Sequence, residues 1–325
     1  MINREVIRIK VLQMTYAYYV NCSRNIDAAE KELLLSLSKT YDLYNCMLTL
    51  ITAITEYVRH MLDLEADKED AKELVATLSK FVNNRFAMQL EGNTMLNDYL
   101  ESHGNLWEDN HREFVAALSR QITTSEFYKE YIENGEDSYE SDRDLWRKIY
   151  RTLIQQNDEI DAILEEESIY WNDDKDIVDT FVLKTIKRFE EKNKSHQQLL
   201  PEYDTDEEKD FARRLFRTSI LNADEYQKYM SEVSHNWELR RLAFMDLIIM
   251  QLAIAEMVTF PNIPISVTIN EYVDLAKVYS TSKSGAYVNG MLDAIAHNLI
   301  EAGKLTKFMN ERKDKDKQLD NNLNN

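Results

Sequence analysis

The sequence predicts an all-α protein, and three observations carry that prediction. Its 325 residues include only six glycines and three prolines, so residues that break a helix are rare. Leu, Ile, Glu and Lys are abundant. Apolar residues recur at spacings of three and four along most of the chain, as they do when one face of a helix turns to a core. A chain of this length can bury a sizeable core, and length alone allows two domains.

Composition also excludes several classes. Two cysteines, Cys22 and Cys46, make neither a disulfide framework nor a paired metal motif, and both fall in helical patterns, where small buried apolar residues are expected. The opening MINREVIRIK has no apolar signal region, and no run reaches the roughly 18 apolar residues of a membrane span, so the expected location is the cytoplasm, with no membrane partner. The net charge of −19 is unevenly spread. Residues 1–20 carry Arg4, Arg8 and Lys10 against Glu5, whereas residues 21–270 hold 28 basic and 49 acidic side chains. Residues 271–300 come to −1 and 301–325 to +1. Any site for nucleic acid must therefore be local, and its affinity steeply salt-dependent.

In chain order, a helix is predicted from about Arg4 to Val20. Ile2, Val6, Ile9, Gln13, Tyr16 and Val20 form one face, and Ile7, Val11, Met14 and Tyr18 a second. Arg4, Arg8 and Thr15 occupy the strip between, which reads as solvated. Residues 27–66 read as one long helix or a helical hairpin with Leu33, Leu37, Leu43, Met47, Leu50, Ile54, Val58 and Leu62 as apolar positions. A helix from about Glu69 to Leu90 follows. Gly92 and Gly104 mark loops, and helices near 113–121 and 126–133 lead to an acidic linker, NGEDSYESD.

An internal repeat comes next. Residues 144–171 align without gaps on 210–237 at an offset of 66, with identity at ten of 28 positions, among them Arg147/Arg213, Arg151/Arg217, Asp158/Asp224 and Trp171/Trp237. Each copy reads as two helices with a break at Asn157-Asp158 or Asn222-Ala223, where the Asp can cap the second helix. Stacked hairpins, or a degenerate first copy packed on the second, both fit this pattern. A charged helix over 176–193 and the linker NKSHQQLLPEYDTDEE separate the copies. From Trp237 a helix of about twenty residues, apolar on most sides, belongs at the centre of a bundle, with Asp246 interrupting it.

The stretch 261–290 holds two of the three prolines and two of the six glycines, and dictates loop, helix, tight turn, helix. Pro264 suits the first turn of a helix burying Ile265, Ile269, Tyr272, Val273 and Ala276. Ser284 can cap a helix burying Val288, Met291, Leu292, Ile295 and Leu299. Gly290 lies inside that helix, which predicts that something approaches its backbone closely. The tail after Leu305 reads as disordered.

Here the ordered elements Asp246, Glu256, Ile263-Pro264, Val267-x-Ile269-Asn270-Glu271, Leu275-Ala276-Lys277 and Tyr287-Val288-Asn289-Gly290-Met291-Leu292-Asp293 resemble the bacterial transcription antitermination factor family NusB. The resemblance covers roughly Asp210 to Leu305 and the first helix. It implies a NusB-like helical bundle with an enlarged helical insertion containing the degenerate repeat. The implied parts are the first helix at 1–20, an insertion at 21–205 holding the first repeat copy, a C-terminal helical domain at 206–305 and a tail at 306–325.

The resemblance further implies binding to the boxA element of ribosomal RNA leader transcripts together with NusE, a small ribosomal subunit protein, in the RNA polymerase elongation complex, so that premature termination is suppressed. The implied RNA contacts are Arg4, Arg8, Lys10, Gln13 and Tyr16 on the first helix and Lys277, Lys283 and Tyr287 near the last, with Asp246 on the partner-binding face. Gln251 and Ala255 stand where the family has an arginine and a tyrosine. No cofactor, metal or catalytic residue is implied.

Two other readings stay open on the residues alone. One is a helical scaffold that binds proteins without RNA. The other is a di-metal carboxylate bundle built on the Glu-x-x-His pairs Glu108/His111 and Glu232/His235. Gly-rich phosphate loops, His-Glu-x-x-His and spaced Cys pairs are absent from the sequence.

Overall fold

The computed structural model describes residues 1–68, 71–134, 137–203, 205–234 and 242–305. The expected disordered tail and the first part of the helix read from Trp237 lie outside the described residues. Among those described, the regular structure is helical, with one isolated parallel bridge between Ile2 and Tyr203. No helix among them is long and apolar enough to cross a membrane. The chain divides into two compact units, one of Met1 and Ser38–Glu202, the other of Ile2–Leu37 and Tyr203–Asn325.

Helix α1 is Arg4–Val20, and α2, Ile26–Glu65, is a single 40-residue helix rather than a hairpin. The helix expected over 69–90 is two, α3 (Lys72–Val82) and α4 (Arg85–Glu91). The break has a local cause. Asn84 caps α4 by accepting the Ala87 amide at 3.0 Å, and its own amide donates to the Asp142 carbonyl at 3.0 Å. Then come α5 (Thr94–His103), α6 (Leu106–Asp109), α7 (Arg112–Thr124) and α8 (Glu126–Glu133).

Part of the acidic linker is helical. Ser138 caps α9 (Tyr139–Ile149), which runs into a π turn, Tyr150–Ile154. Asp142 in its first turn is buried, accepting from the Arg85 amide at 2.9 Å and the Tyr131 hydroxyl at 2.6 Å. Helix α10 is Asp158–Glu167 and α11 is Lys175–Arg188, followed by a 3-10 turn, Glu191–His196. Asp179 of α11 is fully buried, accepting from the Tyr150 hydroxyl at 2.6 Å and from Lys175 at 3.1 Å. Buried carboxylates are thus paid for by donors inside the first unit, as buried charge requires.

In the second unit α1 is joined by α12 (Asp206–Leu221), α13 (Ala223–Val233), α14 (Phe244–Thr259), α15 (Ile265–Tyr279) and α16 (Ser284–Glu301). Helix α14 is buried from Ile248 to Met257 and forms the centre, with α12 packed against α1 and α14, and α15 and α16 against each other and α14. The Thr205/Glu208 capping box starts α12 inside the stretch read as a linker.

The two repeat copies fall in different units and bury corresponding positions, although the first passes into a π turn at Tyr150–Ile154 where the second stays α-helical. Leu145/Phe211, Trp146/Ala212, Ile149/Leu215, Tyr150/Phe216, Ile160/Tyr226, Ile163/Tyr229 and Leu164/Met230 are all buried. The cap differs from expectation: Asn157, not Asp158, accepts the Glu159 and Ile160 amides. Cys22, expected in a helix core, is exposed at φ 49° just beyond α1, while Cys46 is buried.

Candidate nucleic-acid interface

Asn3 starts α1 by accepting the Val6 amide at 3.0 Å. Its inward residues include Val6, Ile7, Val11 and Leu12, but also Arg8, Lys10 and Thr15. The strip expected to be solvated is therefore largely turned inward. The solvent side carries Arg4, Glu5, Tyr16 and Val20, and of the line read as an apolar face only Ile2 and Val6 are buried, with Ile9 and Gln13 partly covered.

The reason is an ion pair that joins three helices. Arg8, 4% exposed, donates to both Glu256 carboxylate oxygens, Nε at 2.8 Å and a terminal nitrogen at 2.9 Å, and to Glu271 at 2.8 Å. Glu256 is fully buried and also accepts from the Thr268 hydroxyl at 2.8 Å and the Tyr272 hydroxyl at 3.2 Å. Such a bidentate, fully hydrogen-bonded pair is the form in which charge tolerates burial. Burial alone would lower the Arg8 pKa, but the hydrogen bonds and charge of Glu256 outweigh it and raise it above the ordinary guanidinium value. Burial and then the Glu256 charge push the Tyr272 hydroxyl well up.

Arg4 is exposed, its guanidinium 5.2 Å from the centre of the Phe211 ring, with Arg8 5.8 Å from the same ring. Phe211 packs on Phe260 at 4.6 Å, and Arg214 lies 4.9 Å from the Phe260 ring. Arg214 is thus a second exposed cation on this aromatic pair. The sequence offered only its place in the run DFARRLF.

At the other end of α1, Tyr16 is 37% exposed and packs on Phe244 at 5.8 Å. Two residues along α14, Asp246 is buried and accepts the Ser284 hydroxyl at 2.9 Å. Ser284 was expected to cap α16 but instead opens it, with its hydroxyl directed to Asp246. Its neighbour Lys283 is exposed and Tyr287 half-buried.

Lys277 completes this group. It is exposed and pairs with Asp274 at 2.6 Å, and its Cγ lies 2.9 Å from where a Cβ on Gly285 would be. The close approach expected at Gly290 is therefore at Gly285. Gly290 is exposed, with nothing within 4 Å of such a Cβ. The structure thus brings together Lys277, Lys283, Tyr287 and Asp246 around the start of α16, places Arg4 on Phe211, and turns Arg8 and Lys10 inward.

Of the alternative metal ligands, His111 contacts Glu167 at 3.3 Å, and His235 lies outside the described residues. Among the described residues no group of three or more His, Cys, Asp or Glu side chains could hold a metal ion.

These helices can be compared with known proteins. The family model described as NusB family matches residues 177–297. The transcription antitermination protein NusB of Salinibacter ruber is 36% identical over 99 residues, 30% of this chain and 62% of that protein. That of Natranaerobius thermophilus is 44% identical over 81 residues, 25% of this chain and 58% of that protein. That of Desulfatibacillum aliphaticivorans is 37% identical over 97 residues, 30% of this chain and 68% of that protein. A solved structure, T. maritima NusB, is 32% identical, covers 36% of this chain and 82% of its own, and superposes with a TM-score of 0.28. The matches leave most of the first unit outside them. With identity above a third across two thirds of a relative, and helices α12 to α15 and most of α16 lying within the matched region, the chain belongs to the NusB family.

Proposed function

We propose that this protein is a transcription antitermination factor that binds boxA-type ribosomal RNA leader sequence together with NusE and so prevents premature termination by the RNA polymerase elongation complex. It makes and breaks no bond. Membership in a family of non-catalytic antitermination proteins supports this reading. The observation that carries the RNA contact is the start of α16, where Lys283 and half-buried Tyr287 stand together beside the exposed Lys277.

An aromatic ring flanked by lysines suits an unpaired base, which can stack on it while its phosphates are neutralised. Arg4, Gln13 and Tyr16 extend the contact along α1, whereas buried Arg8 and Lys10 act by holding that helix in place. A partner site on α14 is supported by an apolar cleft of about 550 Å³ between α13 and α14, lined by Tyr19, Met230, Phe244, Leu247 and Ile248, although Asp246 itself turns to the other side of α14, toward Ser284. The same cleft favours the second reading, a protein-binding scaffold that takes no RNA.

The test is binding of a boxA RNA fragment to the full chain and to Lys283→Gln and Tyr287→Ala. Removing one phosphate contact to single-stranded RNA should reduce the slope of log affinity against log salt by about 0.7. Losing the stacking ring should cost about 1–3 kcal/mol of binding. If both variants bind as the parent does, the α16 assignment is overturned, and a parent that takes no RNA leaves the scaffold reading.

A further inference from the structure

We infer that the end of α11 and the turn after it, residues 184–196 within the matched span 177–297, form a second phosphate-binding strip for RNA in the first unit. This rests on the reading above that the chain binds RNA. Residues 184–196 carry five cations against two carboxylates, inside a stretch of the chain that is otherwise strongly acidic. Lys184, Lys187, Arg188, Lys192 and Lys194 are all exposed. Lys184, Lys187 and Arg188 are spaced at i, i+3 and i+4, so they share one face of α11.

Few of them are neutralised by a carboxylate, whereas Arg59, Arg85, Arg147 and Arg217 in other parts of the chain are paired. The same lack of an ion pair among the described residues is seen at Lys283. Among the described residues no ion pair engages Lys184, Lys187, Arg188 or Lys194, and Lys192 meets Glu190 at 2.8 Å. Lys187 and Arg188 in the last turn would complement the helix dipole. That does not account for Lys184, a turn earlier, or for Lys192 and Lys194 beyond the helix.

The turn itself is held in one shape. Lys194 has φ 47° and ψ −138°, which a non-glycine residue adopts only when its surroundings impose it. The Gln89 side-chain amide donates to the Glu190 carbonyl at 3.0 Å and the Lys194 carbonyl at 2.9 Å. Buried Gln197 accepts from the Glu190 amide at 3.1 Å and the Asn193 side chain at 2.8 Å, and Asn93 donates to its carbonyl at 2.7 Å. Phe189 is buried against Phe86, ring centres 5.2 Å apart. A clamp of this kind fixes where the lysines stand, which is what a backbone-tracking contact needs and a merely solubilising one does not.

Phosphate on RNA fits better than a lipid surface. An interfacial membrane site inserts large apolar side chains, and none is exposed in 184–196.

The experiment uses the full chain and the triple variant Lys184→Gln, Lys187→Gln, Lys194→Gln, with leader RNA long enough to extend well beyond boxA. Circular dichroism and thermal unfolding establish that the variant keeps its fold. Three lost phosphate contacts on single-stranded RNA should lower the salt slope by about 2, so that the affinity ratio between 50 and 200 mM salt shrinks by about 20-fold. A folded variant with unchanged affinity and slope overturns this inference alone. Failure of the unchanged chain to bind any RNA overturns both it and the reading it rests on. Retention of the parent but not the variant on anionic vesicles, with RNA affinity equal in the two, would assign the strip to a membrane and also overturn it.

Discussion

Replacing Arg8 should damage the fold far more than the RNA contact. Arg8→Ala removes two charge-assisted hydrogen bonds from a carboxylate with no exposure and leaves Glu256 only Thr268 and Tyr272. Bonds to charged groups contribute about 1.5–3 kcal/mol each, so two give about 3–6. Removal of one partner from a buried ion pair costs about 3–5 kcal/mol, which agrees. The third bond ends on Glu271, 36% exposed, where screening leaves at most about 1 kcal/mol. With a urea m-value of about 2 kcal/mol per molar, the midpoint should fall by about 1.5–2.5 M. Arg8→Met combined with Glu256→Met, which removes both charges and keeps the volume, should recover most of that loss. Urea unfolding followed by circular dichroism measures all three proteins. A midpoint change below about 0.3 M for Arg8→Ala, or a double variant as unstable as the sum of its singles, would refute the argument. Arg8→Lys, which keeps the charge but loses the fork, should be intermediate in stability and leave the salt slope of RNA binding unchanged.

Three further outcomes follow from particular contacts. Gly285→Ala should destabilise by about 1–3 kcal/mol because its Cβ would meet the Lys277 side chain, while Gly290→Ala, facing open space in a helix, should stabilise by up to about 1 kcal/mol; equal signs in thermal unfolding would contradict this. Ser284→Ala should cost about 1–3 kcal/mol by removing the donor to buried Asp246, read by the same melt. Asp179 is raised in pKa, chiefly by burial, against the Tyr150 hydrogen bond and the Lys175 charge. A carboxyl raised in the folded state binds its proton more tightly there, so its stabilising contribution is full below the ordinary aspartate range and is lost as pH rises through the raised value. Asp179→Asn should remove that loss, giving a stability profile that falls less, from about pH 3 upward, than the parent's; parallel profiles would contradict it.

The helices themselves were largely legible. The two apolar rows bounded α1, and the rare prolines and glycines bounded α15 and α16, because these signals are local. The break between α3 and α4 was also written in the sequence, as Asn83-Asn84, a capping pair read instead as helix interior. The candidate site was less legible. Arg8 stands in a strip with Arg4 and Thr15 that looks solvated, and its partner Glu256 is 248 positions away, so helical spacing carries no trace of the pair. For the same reason Arg8→Glu is expected to set three carboxylates together and unfold α1 from its neighbours, not to weaken RNA binding alone. Asp142 sat in an apparent acidic linker, although its donors lie 11 and 57 positions away. Counting glycines showed that one helix had unusual ones but not which of the two meets a neighbour.

The most direct test of the central claim is the affinity of the full chain for a boxA-containing leader RNA, with and without NusE, at two salt concentrations. The account predicts binding that tightens when NusE is added and falls steeply with salt. RNA binding that is absent under all four conditions, with NusE still captured, would contradict it and leave a protein-binding scaffold.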